Sequence, residues 1–386
     1  MADTMFFSRD SKVFVAPLDT AGAEVAGAMW EIPVLDGFSF SQATNTSEVT
    51  LNEMSAGNNV SRRGRKMFTD SLAPAEWSFS TYARPFKSAD GYAAFGAAMA
   101  DKHSAVEEVL WAMLAGQAQY TVPAVATEAA WGDAITKGDV DMDIGFGASN
   151  KTTLGKANIY FTLGGGIGET SITYKIANCC INEAGIDFDI DGIATINWSG
   201  MGTLISEVDA TPTVTRKEAI HSTANFVRNR LTELVASSSM SGGAITYSLT
   251  LTGGSITISN NMTFLTPETL GVINQPLGHV TGTRSVSGSF TCYLNSATNG
   301  SMDLWEDISE GSDGDAAVAD TITNVFDLAF KIGGTTAPRV EFNMSKCHLE
   351  VPTHSIDDII SLEMTFHALG TDIQSADELA VKYVGA

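Results

Sequence analysis

Two stretches of alternating acidic and apolar residues are the first candidates for chemistry, because clustered carboxylates bind divalent cations. Residues 187–192 read Asp-Phe-Asp-Ile-Asp-Gly and imitate the first half of an EF-hand calcium loop. The last ligand position of that loop should be a glutamate, and here it is Trp198. Asp139, Asp141 and Asp143 alternate with apolar residues in the same way. Strand spacing places the acids on one solvated face and the apolar residues on the buried face, so neither stretch predicts a metal site.

The other residue types that support catalysis lack the spacing that catalysis needs. The six histidines form no HExxH motif and no other metal-binding spacing. There is no G-x-S-x-G motif, and nothing marks an acidic pair as a general acid and base. Adjacent Cys179 and Cys180 point to opposite faces of a predicted strand, so we expect them, with Cys292 and Cys347, to be free core thiols in a reducing compartment. The sequence therefore predicts no enzyme, no metal site and no cofactor.

One dense basic cluster stands out in an acidic chain. It consists of Arg62, Arg63, Arg65 and Lys66. The first interpretation is a solvated loop tip. The second is a contact in which the arginine forks dock onto an acidic surface of a neighbouring copy, for which guanidinium groups suit carboxylates. The candidate acceptors for that contact are Asp303, Glu306, Asp307 and Glu310.

The overall charge limits the partners of the chain. Its 386 residues include 22 Lys and Arg against 45 Asp and Glu, which gives a net charge of −23. Such a chain repels nucleic acid and has no general attraction to anionic membranes. Nothing near the first residue resembles a signal peptide, and no run approaches the ~18–20 apolar residues of a membrane span. We therefore expect no association with a membrane.

The basic cluster lies in a long segment between two predicted strands. Phe38 and Phe40 alternate with polar residues, and so do Trp77 and Phe79. This period of two predicts half-buried strands at both places. The segment between them, about 41–75, is far longer than a hairpin turn. We interpret it as a long arm that extends from a sheet; a floppy surface loop is the alternative.

A helix is predicted after these strands. Ser104 stands three residues before Glu107, the spacing of a capping box. Apolar residues then recur at helical spacing through Leu114, and Gly116 stands where a helix ends. Because an apolar stripe of this kind is typical of a helix in the core, we assign it no cofactor.

Residues from about 225 onward read as a diverged copy of the first half. Residues 255–258 match the strand at Phe38, residues 287–294 match 76–82, and a helix again follows from Ser301. The matching arm, near 259–271, is shorter and lacks the basic cluster. The pattern predicts a mainly β fold with α+β character, built as two tandem β-sandwich or barrel domains, each with one flanking helix and a hairpin arm. The predicted bounds are a first domain at 1–208, a linker at 209–224, a second domain at 225–373 and a C-terminal tail at 374–386.

Several runs resemble a known family. Residues 45–53 and 63–82 look like the major tail tube protein of long-tailed, siphovirus-type phages, in the type with a duplicated tube domain. Residues 258–267 and 301–307 of the second half agree with this. The likeness covers about residues 5–372, which is nearly the whole chain.

The resemblance implies a structural protein of the phage tail. It implies a homotrimer whose six tube domains form a pseudo-hexameric ring, with rings stacked into a hollow conduit and strands joined into a barrel around the lumen. The long arm would bridge to the next ring. The implied partners are other copies of the chain, the tape measure, tail terminator and baseplate proteins, and phage DNA in non-adhesive passage. The implied location is the virion, with assembly in the bacterial cytoplasm. Some relatives carry an extra immunoglobulin-like domain, which we expect to be absent here.

An acidic lumen would keep DNA moving, because carboxylates repel phosphates. The candidate lumen residues are the strand acids Asp139, Asp141, Asp143, Asp187, Asp189 and Asp191.

Two other functions remain open at this point. One is a related ring in the same virion, such as a distal tail or baseplate protein, which would stop after one layer. The other is a carbohydrate-binding β-sandwich module of an adhesin. Such a module needs exposed aromatic residues in loops, whereas most aromatic residues here lie at core spacing.

Overall fold

The computed structural model of the chain describes residues 6, 8–49, 55–56, 60–61, 65–87, 101–116, 131, 134–146, 154–164, 171–216, 219–238, 244–310, 326–373 and 375–386. As predicted, the fold is mainly β. Across the described ranges no helix has the length and hydrophobicity needed to span a membrane.

Among its described residues, the first part of the chain contains strands β1–β14 and helix α1. Their bounds are β1 Lys12–Pro17, β2 Trp30–Ile32, β3 Ser39–Glu48, β4 Ser55–Ala56, β5 Val60–Ser61, β6 Met67–Tyr82, β7 Pro85–Lys87, β8 His103–Ala105, α1 Glu108–Ala115, β9 Ile135–Lys137, β10 Met142–Gly145, β11 Ala157–Gly164, β12 Ser171–Asp189, β13 Thr195–Gly202 and β14 Ile205–Val208.

The rest of the chain contains β15–β25 and the second helix. Their bounds are β15 Glu233–Ser238, β16 Ile245–Tyr247, β17 Leu251–Ser259, β18 Thr263–Leu265, β19 Gly278–Val280, β20 Ser285–Tyr293, α2 Ser301–Glu310, β21 Phe326–Ile332, β22 Arg339–Leu349, β23 Thr353–Ile356, β24 Ile360–Ala368 and β25 Ala380–Val384. Short 3-10 turns lie at Ser8–Asp10 and Asn229–Leu231 in the described part of the chain.

Eight antiparallel strands form one continuous sheet, which we call the main sheet. Its order is β3, β6, β13, β12, β17, β20, β24 and β23. The contact between β12 and β17 joins the two halves of the chain, with Glu183 opposite Ser259 and Asp189 opposite Gly253. Among the described residues, the two outermost strands, β3 and β23, each pair on one side only.

A second layer of strands covers the apolar side of the main sheet. In the first half β12 also pairs with β11, which pairs with β1, which pairs with β2. In the second half β22 pairs with β21, then β15, then β16. Strand β12 reaches both layers because it is a single long strand bent near Asn178, which has a φ of 51°. The sequence pattern alone predicts two strands here, one at Ile172–Ile176 and one at Ile186–Ile190, and the structure joins them.

Helix α1 is packed between the two halves. All of its residues are buried, and Trp111 contacts Trp198 of the first half and Phe342 and Tyr383 of the second. The Trp111 indole N–H also donates to the Tyr383 hydroxyl at 2.7 Å. Helix α2 instead lies at the surface, with Leu304 buried and Glu306 exposed on its other face.

The predicted capping box is wrong, whereas the predicted helix end is confirmed. Helix α1 begins at Glu108, and Ser104 lies in β8 opposite Phe86 without capping the helix. The Glu107 carboxylate instead accepts the backbone N–H of Arg84 at 3.1 Å, which ties the helix start to the preceding strand. Gly116 ends the helix with a φ of 89°, a conformation that favours glycine.

The C-terminal segment, which we expected to be a tail, contains a strand. Strand β25 pairs with β10 of the first half on one side and with β22 of the second half on the other. Its residues Val381 and Tyr383 are fully buried. The segment expected as a linker also makes specific contacts, because Arg216 and Thr215 hydrogen-bond the backbone of Met29.

Candidate functional site

The solvent-facing side of the main sheet carries a continuous polar surface, which we call the polar face. Alternate residues of the eight strands point to this side, while their neighbours, such as Phe79, Trp198 and Phe290, are buried. Most of the polar face consists of hydroxyl, amide and carboxylate groups. Its members include Ser39, Ser41, Ser78, Ser80, Thr195, Asn197, Ser199, Ser255, Thr257, Ser287, Ser289, Thr291, Thr353, Ser355, Ser361 and Thr365.

Side-chain hydrogen bonds run across the strands of this surface. The hydroxyl groups of Ser39 and Ser78 are 2.9 Å apart on neighbouring strands. Ser80 donates to the Asn197 carbonyl oxygen at 2.6 Å, and the Asn197 amide donates to Asp187 at 3.3 Å. These bonds pair some of the polar groups with one another within the surface.

The charge of the polar face has one sign. Glu76, Glu183, Asp187, Asp189 and Glu363 lie on it and are exposed. No Lys or Arg lies on this side of the eight strands, all of whose residues the structure describes. Only His367 could add a positive charge. The surface is therefore acidic and rich in hydroxyl groups.

The predicted lumen acids of the second stretch separate into two groups. Asp187 and Asp189 lie on the polar face, as their alternation with buried Phe188 predicts. Asp191 lies in the turn after β12 and pairs with Arg230 at 3.1 Å. Sequence reasoning missed Glu76, Glu183 and Glu363. Glu76 adjoins the Trp77–Phe79 alternation and could have been found from it.

The acids of the first stretch lie elsewhere and are paired with lysines. Asp139 binds Lys102 at 2.7 Å, and this hydrogen bond lowers the pKa of Asp139. Asp141 and Asp143 both bind Lys382 of β25, at 3.0 and 3.1 Å. The strand begins only at Met142, because the backbone turns between Gly138 and Asp141, and Val140 is therefore exposed rather than buried. Their pairing makes these acids weak sources of negative potential.

The predicted arm is a β-hairpin that leaves the main sheet. The last pair between β6 and β13 joins Ala75 to Gly202, but the pairing of β6 with β3 continues to Met67 and Glu48. Residues 67–74 thus extend ~25 Å beyond the sheet at ~3.3 Å per residue. At its base the Gln42 amide donates to the carbonyls of Ala73 and Thr203 and fixes the direction of the arm.

The described part of the basic cluster is engaged within the arm itself. Arg65 makes a two-point contact with Glu48, with distances of 2.6 and 2.5 Å. This hydrogen bonding lowers the pKa of Glu48. The Lys66 ammonium lies 5.2 Å from the centre of the Phe68 ring. Arg62 and Arg63 lie outside the described residues.

Helix α2 carries the predicted acceptor acids, and two of them have local roles. Asp303 accepts the backbone N–H of Asn299 at 2.7 Å, and Asp307 accepts the Tyr247 hydroxyl at 2.6 Å. Glu306 is exposed, and the side chain of Glu310 lies outside the described residues. The helix starts beside Tyr293, at the end of the main sheet opposite to the arm.

The fold brings together one cysteine and one histidine that the sequence did not connect. The Cys180 sulfur lies 3.2 Å from Nδ1 of His279. Burial raises the pKa of Cys180 to about 12 and lowers the pKa of His279 to about 4. Both groups are therefore neutral near pH 7, and the thiol lacks the activation that a nucleophile needs. All four cysteines are buried and free, as expected. Within the described ranges no three His, Cys, Asp or Glu residues are grouped where they could hold a metal ion.

The comparison with known proteins agrees with a structural role. The sequence profile described as "Phage tail tube protein" matches residues 8–368. The tail tube protein pb6 of Escherichia phage T5 is 29% identical over 381 residues, which cover 96% of this chain and 74% of that relative. The chain therefore belongs to the phage tail tube proteins, a family of structural virion components rather than enzymes.

Proposed function

We propose that the chain is the repeating subunit of a hollow tail tube through which phage DNA is ejected. Three copies form a ring with six similar domains, and rings stack into a tube whose inner wall is the polar face. The domain bounds predicted from the sequence, 1–208 and 225–373, define the two similar units of each chain. The tandem duplication is supported by the strand pairings, which follow one order in both halves.

The observation that carries this proposal is the junction between β12 and β17. Inside one chain, this junction attaches β17, the first main-sheet strand of the second unit, to β12, the outermost main-sheet strand of the first unit. The same two kinds of strand are free at the ends of the main sheet: β3 is the counterpart of β17, and β23 is the counterpart of the end of β12. Pairing β3 of one copy with β23 of the next would repeat the junction and remove both exposed edges.

The internal junction also sets the expected register. Asp187 lies opposite Ser255 within the chain. Ser355 is the counterpart of Asp187, because Ser355 lies opposite Ser361 as Asp187 lies opposite Thr195. Ser39 is the counterpart of Ser255, because Ser39 lies opposite Ser78 as Ser255 lies opposite Ser289. We therefore expect Ser39 of one copy to lie opposite Ser355 of the next.

The two helices support the same arrangement. Trp111 of α1 is buried because Phe342 and Tyr383 of the second half cover it. Trp305, at the matching position of α2, is only half-buried and contacts His354 of β23. A neighbouring copy joined at β23 would cover Trp305 as the second half covers Trp111.

The dimensions of the resulting barrel suit a DNA conduit. Three chains with eight main-sheet strands each would give 24 strands, which at ~4.8 Å per strand and a tilt of ~40° close a barrel about 48 Å across. Side chains take up ~5 Å on each wall. A bore lined by the polar face would present carboxylates and hydroxyl groups but no Lys or Arg, so it would repel phosphates instead of binding them.

The long arm supports the stacking of rings. It projects from one end of the main sheet, beyond the last pair with β13, and can reach a ring placed above it. We infer that the finished tube also meets the tape measure, tail terminator and baseplate proteins at its lumen and its two ends. None of these roles requires a cofactor.

Electron microscopy of the purified chain combined with a disulfide test examines the proposal. Uniform hollow rods of indefinite length are expected, whereas single rings would favour a distal tail or baseplate protein. The variant S39C/S355C should form disulfides between neighbouring copies, because the Cα atoms of antiparallel pairs lie ~4.5–5.5 Å apart. Closure of the ring should limit the linked species to three chains. S41C/S355C, shifted by two residues, is the matched control and should crosslink far less. Equal crosslinking of both variants, or ladders beyond three chains, would overturn the ring.

A further inference from the structure

The shorter arm, predicted near 259–271, spans residues 260–284 between β17 and β20 and displays an unusually apolar loop. Leu270 is fully exposed, and Val272, Ile273 and Leu277 are 63%, 57% and 76% exposed. Large side chains that are exposed together on a soluble chain mark an interaction surface. The neighbouring long arm adds Met67 and Phe68, which are 55% and 50% exposed.

This loop has a defined shape. The Asn274 side chain accepts the backbone N–H of Thr269 at 3.0 Å and donates to the Thr269 carbonyl at 3.3 Å. The Asn274 backbone also bonds Asp70 and Leu72 of the long arm, at 3.2 and 2.9 Å. The two arms thus form one unit, and the loop is held in place before any partner binds. We call this unit the arm patch; it consists of Leu270, Val272, Ile273, Leu277, Met67 and Phe68.

Apolar side chains also lie at the opposite end of the main sheet, in one turn of each half. The turn after β12 exposes Ile190 and Ile193, and the turn after β23 exposes Ile359 next to the exposed Ile356 and Ile360. We call these five isoleucines the turn patch. In both halves the arm leaves the main sheet at one end and this turn lies at the other.

Charges of opposite sign lie beside the two patches, although the arm patch also has the exposed Glu268 two residues before Leu270. Lys66 is exposed next to Phe68 in the arm patch. Asp357 and Asp358 are exposed between the isoleucines of the turn patch. A contact between the two patches would place opposite charges at the rim of an apolar centre, which is the usual arrangement of a specific interface.

We propose that the arm patch of one copy docks onto the turn patch of a copy in the next ring, so that rings stack through an apolar contact. This inference rests on the tube proposed above and names the surfaces that join its layers. Because two different patches meet head to tail, each added ring offers a new free arm patch. A contact of the arm patch with itself would stop after two layers.

The test uses two blocked variants of the full chain. L270D/I273D removes the arm patch and I190D/I359D removes the turn patch, while V140D places one aspartate at an exposed valine outside both patches. Each blocked variant should form single rings and raise the critical concentration for rods at least ~100-fold, or ~2.8 kcal/mol, whereas V140D should form rods like the unchanged chain. A mixture of the two blocked variants should give two-layer particles, because one intact patch of each kind remains.

The outcomes separate this contact from the tube itself. If the unchanged chain forms no rods, the tube proposal fails. If rods form and the blocked variants still elongate, the patches do not join the rings. If I190D/I359D alone forms two-layer particles, the arm patch binds itself, and a failure of V140D would show that the effect is not specific. Unchanged crosslinking of S39C/S355C in the blocked background confirms that the rings remain intact.

Discussion

Reversing the charge of the polar face should change a tube that does not bind DNA into one that retains it. The variant E76K/E183K/E363K changes three exposed positions on three different strands. The polar face of each chain would then change from five acids and no Lys or Arg to two acids and three lysines. A ring of three chains would change from −15 to +3 on this surface, without counting His367.

The expected size of the effect follows from counterion release. Nine lysines per ring would face the bore, and each phosphate neutralised contributes ~0.9 to the slope of log affinity against log salt. The slope should therefore approach about −8 for each fully occupied ring. Binding should weaken steeply between low and physiological salt, by as much as ~10³–10⁵.

Cosedimentation of a short fluorescent duplex with preassembled tubes measures this retention at several salt concentrations. The matched control is D10K/E207K/D209K, three exposed acids outside the polar face. Both variants change the net charge of the chain from −23 to −17, so they differ only in where the charge lies. Electron microscopy confirms that each variant forms tubes.

Retention should be seen with the polar-face variant alone. If the unchanged tubes retain DNA, or if the two variants retain it equally, the polar face does not line the bore. If neither variant retains DNA although tubes form, the bore is lined by another surface.

Two further changes test other parts of the structure. Burial raises the pKa of Glu107 from 4.5 to about 7, so its neutral form stabilises the fold below pH 4.5 and this stability is lost as the pH rises through 7. E107Q should therefore reduce the decline in unfolding free energy between pH 5 and 8 by about 3 kcal/mol, measured by urea denaturation; an unchanged decline would contradict it. R62E/R63E should raise the critical concentration for rods about tenfold at low salt, with partial rescue by E306R. If R62E/R63E assembles as the unchanged chain does, the basic cluster does not dock onto the acidic residues of a neighbouring copy.

The strand pattern was readable from the sequence because one side of each main-sheet strand is buried. The alternation of Trp77 and Phe79 with polar residues predicted β6, and Phe188 between two aspartates predicted the end of β12. The two ends of β12 looked like separate strands, since the bend at Asn178 moves the chain from one layer to the other and interrupts the alternation. Ser104 looked like a helix cap because local spacing cannot show that its backbone pairs with Phe86 instead.

Local patterns by themselves determined the mainly β fold, the helix end at Gly116, the acidic character of the chain and its likeness to the tail tube family. Only the tertiary structure decided which acids share a surface, because Glu76, Glu183 and Glu363 come from distant parts of the chain and meet through strand register. It likewise decided that Asp141 and Asp143 share the ammonium group of Lys382, since that lysine lies in the last strand. Burial and alternation are properties of neighbouring residues, whereas a charged wall and a free sheet edge exist only after the strands have been placed side by side.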